Sequence, residues 1–157
     1  MPSFGRRSKS RLGTCHNLLQ EILEEAIKEY DFSVLCGHRG KEDQDAAFNS
    51  GNSKLKFPQS KHNKMPSLAV DIAPYPIDWN NIDRFKDLGK IIKRIADEKG
   101  IDLSWGGDWR SFKDYPHFQL DSLEVKKKDE PEDLLSDEPS EEDIESLLED
   151  IERESGV

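Results

Sequence analysis

Cysteine is nearly absent from this chain, and its two copies, Cys15 and Cys36, have no CxxC spacing and no companions. That argues against a disulfide framework and leaves two buried thiols as the expectation. Long apolar runs are missing as well. No window approaches the roughly 18 apolar residues a membrane span needs, so no membrane insertion is expected. The start, MPSFGRRSKSRLG, has bases with no apolar run behind them, so no Sec-type signal peptide is expected. A cytoplasmic product that works outside the cell then needs another agent to release it.

A dominant charge is missing from the first 120 residues, which hold 17 acids against 19 bases. The formal charge of −10 comes from residues 121–157, with 16 acids against 4 bases. The length of 157 residues suits one domain with a core, not two. Residues 1–12 are read as a flexible basic arm, 13–120 as the domain and 121–157 as an acidic tail. The tail lacks aromatics and carries charge blocks, which predicts a largely disordered segment. Within it, Ser140 followed by Ile144, Leu147, Leu148 and Ile151 predicts a short capped helix over 140–153. Such a segment reads either as solvated tail or as a helix that docks on, or masks, a basic surface.

Inside the domain, Leu19, Ile22, Leu23, Ala26 and Ile27 recur at helical spacing, with Thr14 as the expected N-cap. FSVLC at 32–36 reads as a buried strand, and KEDQDAAFNSG as a helix that Gly51 closes. LAVDIAPY at 68–75 is the second strand. A second amphipathic helix runs from about Asn81 to Lys99, with Gly100 just past its end. IDLSW and HFQL supply further short strands. The irregular alternation predicts an α+β fold, a small antiparallel sheet with flanking helices.

The chemistry concentrates in two of these strands. With period two, Leu68, Val70 and Ile72 face one way, while Asp71 sits between Ala69 and Ala73 on the other. In HFQL, Phe118 and Leu120 share a face, and His117 and Gln119 take the opposite one. His62, in the preceding loop, is the natural third donor. Two imidazoles and one carboxylate are a common set for catalytic zinc, with an open position left for water. No cysteine is expected near the site, and His16 and His38 lie in other segments. Asp114, three residues before His117, is placed to serve as general base, and Arg39 to supply a fixed positive charge. Each residue also has a plainer reading: His62 on the surface, Asp71 capping a turn, His117 half-buried, Asp114 in a turn and Arg39 in an ion pair.

SKHNKMPSLAVDIAPYPIDW resembles the Ser-x-His…Ala-x-Asp signature of the zinc D-alanyl-D-alanine carboxypeptidase and L-alanyl-D-glutamate endopeptidase family, the VanY and VanX type. WGGDWRSFKDYPHFQL resembles that family's closing motif, with its acidic residue three before the last histidine ligand. GHRGKEDQDAAFNSG is similar to its segment with an arginine and a glutamine five residues later. The order of the three motifs over about Leu12 to Leu120 resembles the compact phage endolysin branch. The resemblance implies the small α+β fold shared with the hedgehog signalling domain. It implies His62, Asp71 and His117 as zinc ligands, Asp114 as general base and Arg39 as the residue that positions or polarises substrate. It further implies Ser60 near the substrate and Gln44 as a support. The interval from His62 to Asp71 is longer here than in many members.

The expectation is therefore a monomeric zinc peptidase that cuts peptidoglycan stem peptides. It would be made in the host cytoplasm and reach the cell wall after release. The resemblance leaves open an L-alanyl-D-glutamate endopeptidase and a D-alanyl-D-alanine carboxypeptidase. A zinc-stabilised binding module without turnover is the competing class, and Asp114 argues against it. Nucleic acid is not expected as a partner, because the tail would repel it.

Overall fold

Three strands of this protein have a face that repels water and a face that does not, and the fold follows from covering the first. The computed structural model describes residues 2–126. The expected disordered tail and its helix over 140–153 lie outside the described residues, apart from residues 121–126. The described elements are α1 (Arg6–Leu12), α2 (Asn17–Ala26), β1 (Phe32–Cys36), α3 (Lys41–Asn49), β2 (Ala69–Pro74), α4 (Ile82–Glu98), β3 (Ile101–Trp105) and β4 (His117–Val125). Two 3-10 turns, Lys61–Asn63 and Gly106–Asp108, precede β2 and follow β3.

The strands form one antiparallel sheet in the order β1-β2-β4-β3. Val34, Val70, Ile72, Phe118 and Leu120 are buried on one face. α2 brings Leu19, Ile22 and Leu23 into that core, and α4 brings Leu88, Ile92 and Ile95. Each such side chain taken from water contributes about 1.5–3 kcal/mol. α4 stops where expected, because Gly100 has φ +70 and no room for a side chain against the carbonyl of Lys126. No helix among the described residues is long and apolar enough to cross a membrane.

Three boundaries differ from expectation. Within the stretch read as a basic arm, residues 6–12 form α1 against β1. Ser8, Arg11 and Leu12 share one face of it, and Phe4 lies just before its start. Phe4 packs edge-on against Phe32, and Leu12 is buried. The edge strand β1 has backbone groups to satisfy, and α1 supplies the partners. Ser8 Oγ accepts from the Val34 N–H at 2.9 Å, and Arg11 Nη1 donates to the Val34 carbonyl at 3.1 Å. Thr14 does not cap α2. That role falls to His16, whose Nδ1 accepts from the Leu18 N–H, while Thr14 Oγ1 donates to the Arg11 carbonyl. The domain also runs past Leu120, because β4 continues to Val125 and pairs it with Ile101.

Candidate active site

The second face of the sheet carries the chemistry. Antiparallel pairing sets Asp71 directly opposite His117 on β4 and opposite Cys36 on β1. One row across three strands therefore reads Cys36, Asp71, His117, with the small Ala69 and Ala73 leaving space around it.

His62 is delivered from the side by the turn Lys61–Asn63. Ser60 Oγ accepts from the His62 N–H at 3.2 Å, and Asn63 Oδ1 accepts from the Ser60 N–H at 3.0 Å, a reciprocal cap. Asn63 Nδ2 donates to the Arg39 carbonyl, and the Arg39 N–H donates to the His62 carbonyl at 2.7 Å. Gln44, fully buried on α3, accepts from Arg39 Nη1 at 3.0 Å and donates to Ser53 Oγ and the Leu55 carbonyl. The guanidinium is thus fixed, with Nη2 3.5 Å from Asp71 Oδ2.

The other oxygen of Asp71 faces the imidazoles. His62 Nε2 is 3.3 Å from Asp71 Oδ1, and His117 Nδ1 is 3.2 Å from the same atom. Partners on the far sides of the rings set the tautomers. His62 Nδ1 donates to the Gly37 carbonyl at 2.8 Å, and His117 Nε2 donates to Gln119 Oε1 at 2.9 Å. Gln119 is itself oriented by donating to Asp121 Oδ1. His62 Nε2 and His117 Nδ1 then face one carboxylate oxygen. His62 is 2% exposed, and its Nε2 lacks a hydrogen-bond partner, since the approach to Asp71 falls short of hydrogen-bond geometry. Three electron-rich atoms around a buried gap are costly unless a positive charge sits among them.

The electrostatics agree. Burial by itself would make His62 less basic, but the close approach of Asp71, then of Cys36, pushes its pKa up to about 10. Burial would raise Asp71, yet the two imidazoles hold its carboxyl well below the usual carboxylate range. Among the described residues, metal-compatible donors fall into two sets that share Asp71: Cys36 with His62, and Asp114 with His117. The ligand atoms of each set lie within 4.8 Å of one another. The residues present therefore fit a cation.

Residues 2–130 match the family model described as phage L-alanyl-D-glutamate peptidase. The chain belongs to that family. It is 34% identical over 117 residues to the L-alanyl-D-glutamate peptidase of Escherichia phage T5, covering 71% of this chain and 85% of the relative. It is 30% identical over 108 residues to the peptidoglycan L-alanyl-D-glutamate endopeptidase CwlK of Bacillus subtilis (strain 168), covering 60% of this chain and 64% of that protein. The crystal structure of the Serratia marcescens L-Ala D-Glu endopeptidase ChiX matches with a TM-score of 0.66 at 31% identity, covering 75% of this chain and 90% of that one.

In this L-alanyl-D-glutamate peptidase family member, His62, Asp71, His117, Asp114, Arg39 and Ser60 all line one groove of about 670 Å³. Asp114 is held by its own backbone. Its N–H donates to the Gly106 carbonyl, and its carbonyl accepts from the His117 N–H, each at 3.1 Å. Burial and the charge of Asp71 raise its pKa above the ordinary carboxylate value. Ser60 is buried and spends its hydroxyl on the His62 turn.

One expectation needs correction. Cys36 does lie beside the site, with Sγ 3.9 Å from His62 Nδ1. Strict alternation puts Cys36 on the core face with Phe32 and Val34. A bulge between Val34 and Cys36 inserts Leu35 and turns Cys36 over. Gln119 and the Gly37 carbonyl, which set the tautomers, were also missed as functional groups. Gln119 had a signal, since it shares a strand face with His117. The Gly37 carbonyl had none.

Proposed function

We propose that the chain is a zinc-dependent endopeptidase that hydrolyses the L-alanyl–D-glutamate bond of peptidoglycan stem peptides. It acts on the host cell wall in phage-driven lysis, after release from the cytoplasm where it is made. The bond is the one named for each of the three relatives. The single observation that carries the metal is the buried, unpartnered Nε2 of His62, facing the same Asp71 Oδ1 that His117 Nδ1 approaches.

His62, Asp71 and His117 would hold the ion, and two nitrogens with a carboxylate oxygen suit zinc. When bound, zinc supplies Lewis acidity to water and to the scissile carbonyl. Asp114 takes the proton from the attacking water and returns it to the departing amine of the glutamyl residue. Its raised pKa moves it toward the pH at which such a shuttle works in both directions. Arg39, braced by Gln44, presents a fixed charge to the substrate carbonyl. Ser60 holds the turn that aims His62, and it lines the groove where substrate would pass.

Mass spectrometry of muropeptides after digestion of purified sacculi tests the bond. The expected products are glycan-linked L-alanine and peptides with a new amino terminus on D-glutamate. Release of terminal D-alanine alone would convert the enzyme to a carboxypeptidase. Chelation should abolish the digestion, and stoichiometric zinc should restore it. Full activity in metal-stripped protein would remove zinc from the mechanism.

A further inference from the structure

We propose that Lys54 and Lys113, braced by Phe112, form the subsite for the free carboxylate of the glutamyl residue at the scissile bond. This rests on the endopeptidase reading above and names the groups that recognise one side of that bond.

Four cationic side chains line the groove: Arg39, Lys54, Lys61 and Lys113. Two of them are committed. Arg39 is bound to Gln44 and faces Asp71, while Lys61 donates to the Leu120 carbonyl and faces Asp121. Lys54 and Lys113 have no carboxylate partner among the described residues. The Lys113 ammonium has only a long contact of 3.5 Å to the Gly107 carbonyl. That of Lys54 lies 4.9 Å from the centroid of the Phe112 ring.

Phe112 is the unusual member. It is 72% exposed, and its φ of +54° is in the left-handed region, which a bulky L residue occupies at a cost of about 1–3 kcal/mol. The ring gains little burial in return. The loop that carries it is tied at both ends to the Gly106 carbonyl, through the N–H groups of Trp109 and Asp114. The ring therefore stands at the groove wall as a platform. A cation over an aromatic face keeps its N–H donors available for an anion. Phe112 thus fixes Lys54 in place without neutralising it, and Lys113 adjoins Asp114 in sequence, beside the reacting centre.

The substrate supplies the matching charge. Glutamate has two carboxyl groups, and at most one continues the peptide, so one remains anionic near the cut. The groove already holds Asp71 and Asp114, which repel that anion. Two unpaired ammonium groups offset the repulsion and replace the lost water contacts with charge-assisted hydrogen bonds.

The test is steady-state hydrolysis, with zinc-loaded full-length protein, of two synthetic stem peptides. They differ only in whether the free carboxyl of D-glutamate is an acid or an amide. Wild type should favour the acid by about tenfold in kcat/KM, the worth of one charge-assisted hydrogen bond. In the K54M/K113M double variant the acid-to-amide ratio should fall close to one, with the change mainly in KM. Phe112→Gly, which also relieves the backbone, should lower the ratio without lowering the melting temperature. An equal loss on both peptides, or an unchanged ratio, would overturn the subsite while leaving the endopeptidase standing. Wild-type protein that cleaved neither peptide would overturn both.

Discussion

Asp114 shows the conflict between stability and chemistry at a single residue. Burial, then the charge of Asp71, raises its pKa above the ordinary value of 3.8. The folded state therefore holds the Asp114 proton more tightly than the unfolded chain. That stabilisation is complete below pH 3.8 and is lost as pH rises through the higher folded value. At neutral pH the ionised carboxylate thus destabilises the metal-free domain. Asp114→Asn should raise the melting temperature of metal-free protein at pH 7, and the gain should shrink as pH falls toward 4. The same variant should lose hydrolysis by about 10²–10⁴-fold, the usual contribution of a positioned general base. Zinc content should persist in Asp114→Asn and disappear in His117→Ala. A fully active Asp114→Asn enzyme would remove the residue from catalysis, and loss of zinc from it would make Asp114 a ligand.

Single elements translate these demands into backbone. The turn Gly106–Asp108 leads out of β3, and the Gly106 carbonyl receives the N–H groups of both Trp109 and Asp114. A Cβ on Gly106 would lie 2.2 Å from the Asp114 carbonyl oxygen, so it must push the carboxylate-bearing loop away. Gly106→Ala should cost about 1–3 kcal/mol of stability. It should also lower kcat by about a hundredfold through misplacement of Asp114. Gly40→Ala is the control, because nothing lies within 4 Å of its Cβ. Its melting temperature and kcat should match wild type. The period-two reading of LAVDIA and HFQL assigned faces correctly, because alternation is a property of the strand itself. It failed at Cys36, where a bulge set by the neighbouring strand broke the alternation. It overlooked α1 because Leu12 is the one apolar residue in that helix, too few to show a period.

At the scale of the whole molecule, the end of β4 decides where the domain can be cut. Asp121 anchors Lys61 and Gln119, and Val125 pairs with Ile101. A chain ending at Lys126 should keep the melting temperature of full-length protein and its rate on soluble muropeptides. A chain ending at Leu120 should lose stability, because β3 forfeits the Ile101–Val125 end of its ladder and Gln119, which orients His117, loses its Asp121 partner. Thermal denaturation of both truncations checks this. A large activity loss in the longer truncation would make residues 127–157 part of the working enzyme.

By itself the sequence determined the faces of β2 and β4, the α4 stop at Gly100 and the residue types able to grip a cation, because each depends on neighbours within a few positions. Only the tertiary structure decided that Asp71 stands between Cys36 and His117, that the Gly37 carbonyl and Gln119 fix the two tautomers, and that Lys54 meets Phe112 across the groove. Those juxtapositions come from strand order and loop return. Both are set by burying one face of the sheet under α2 and α4, and no local pattern in the chain encodes them.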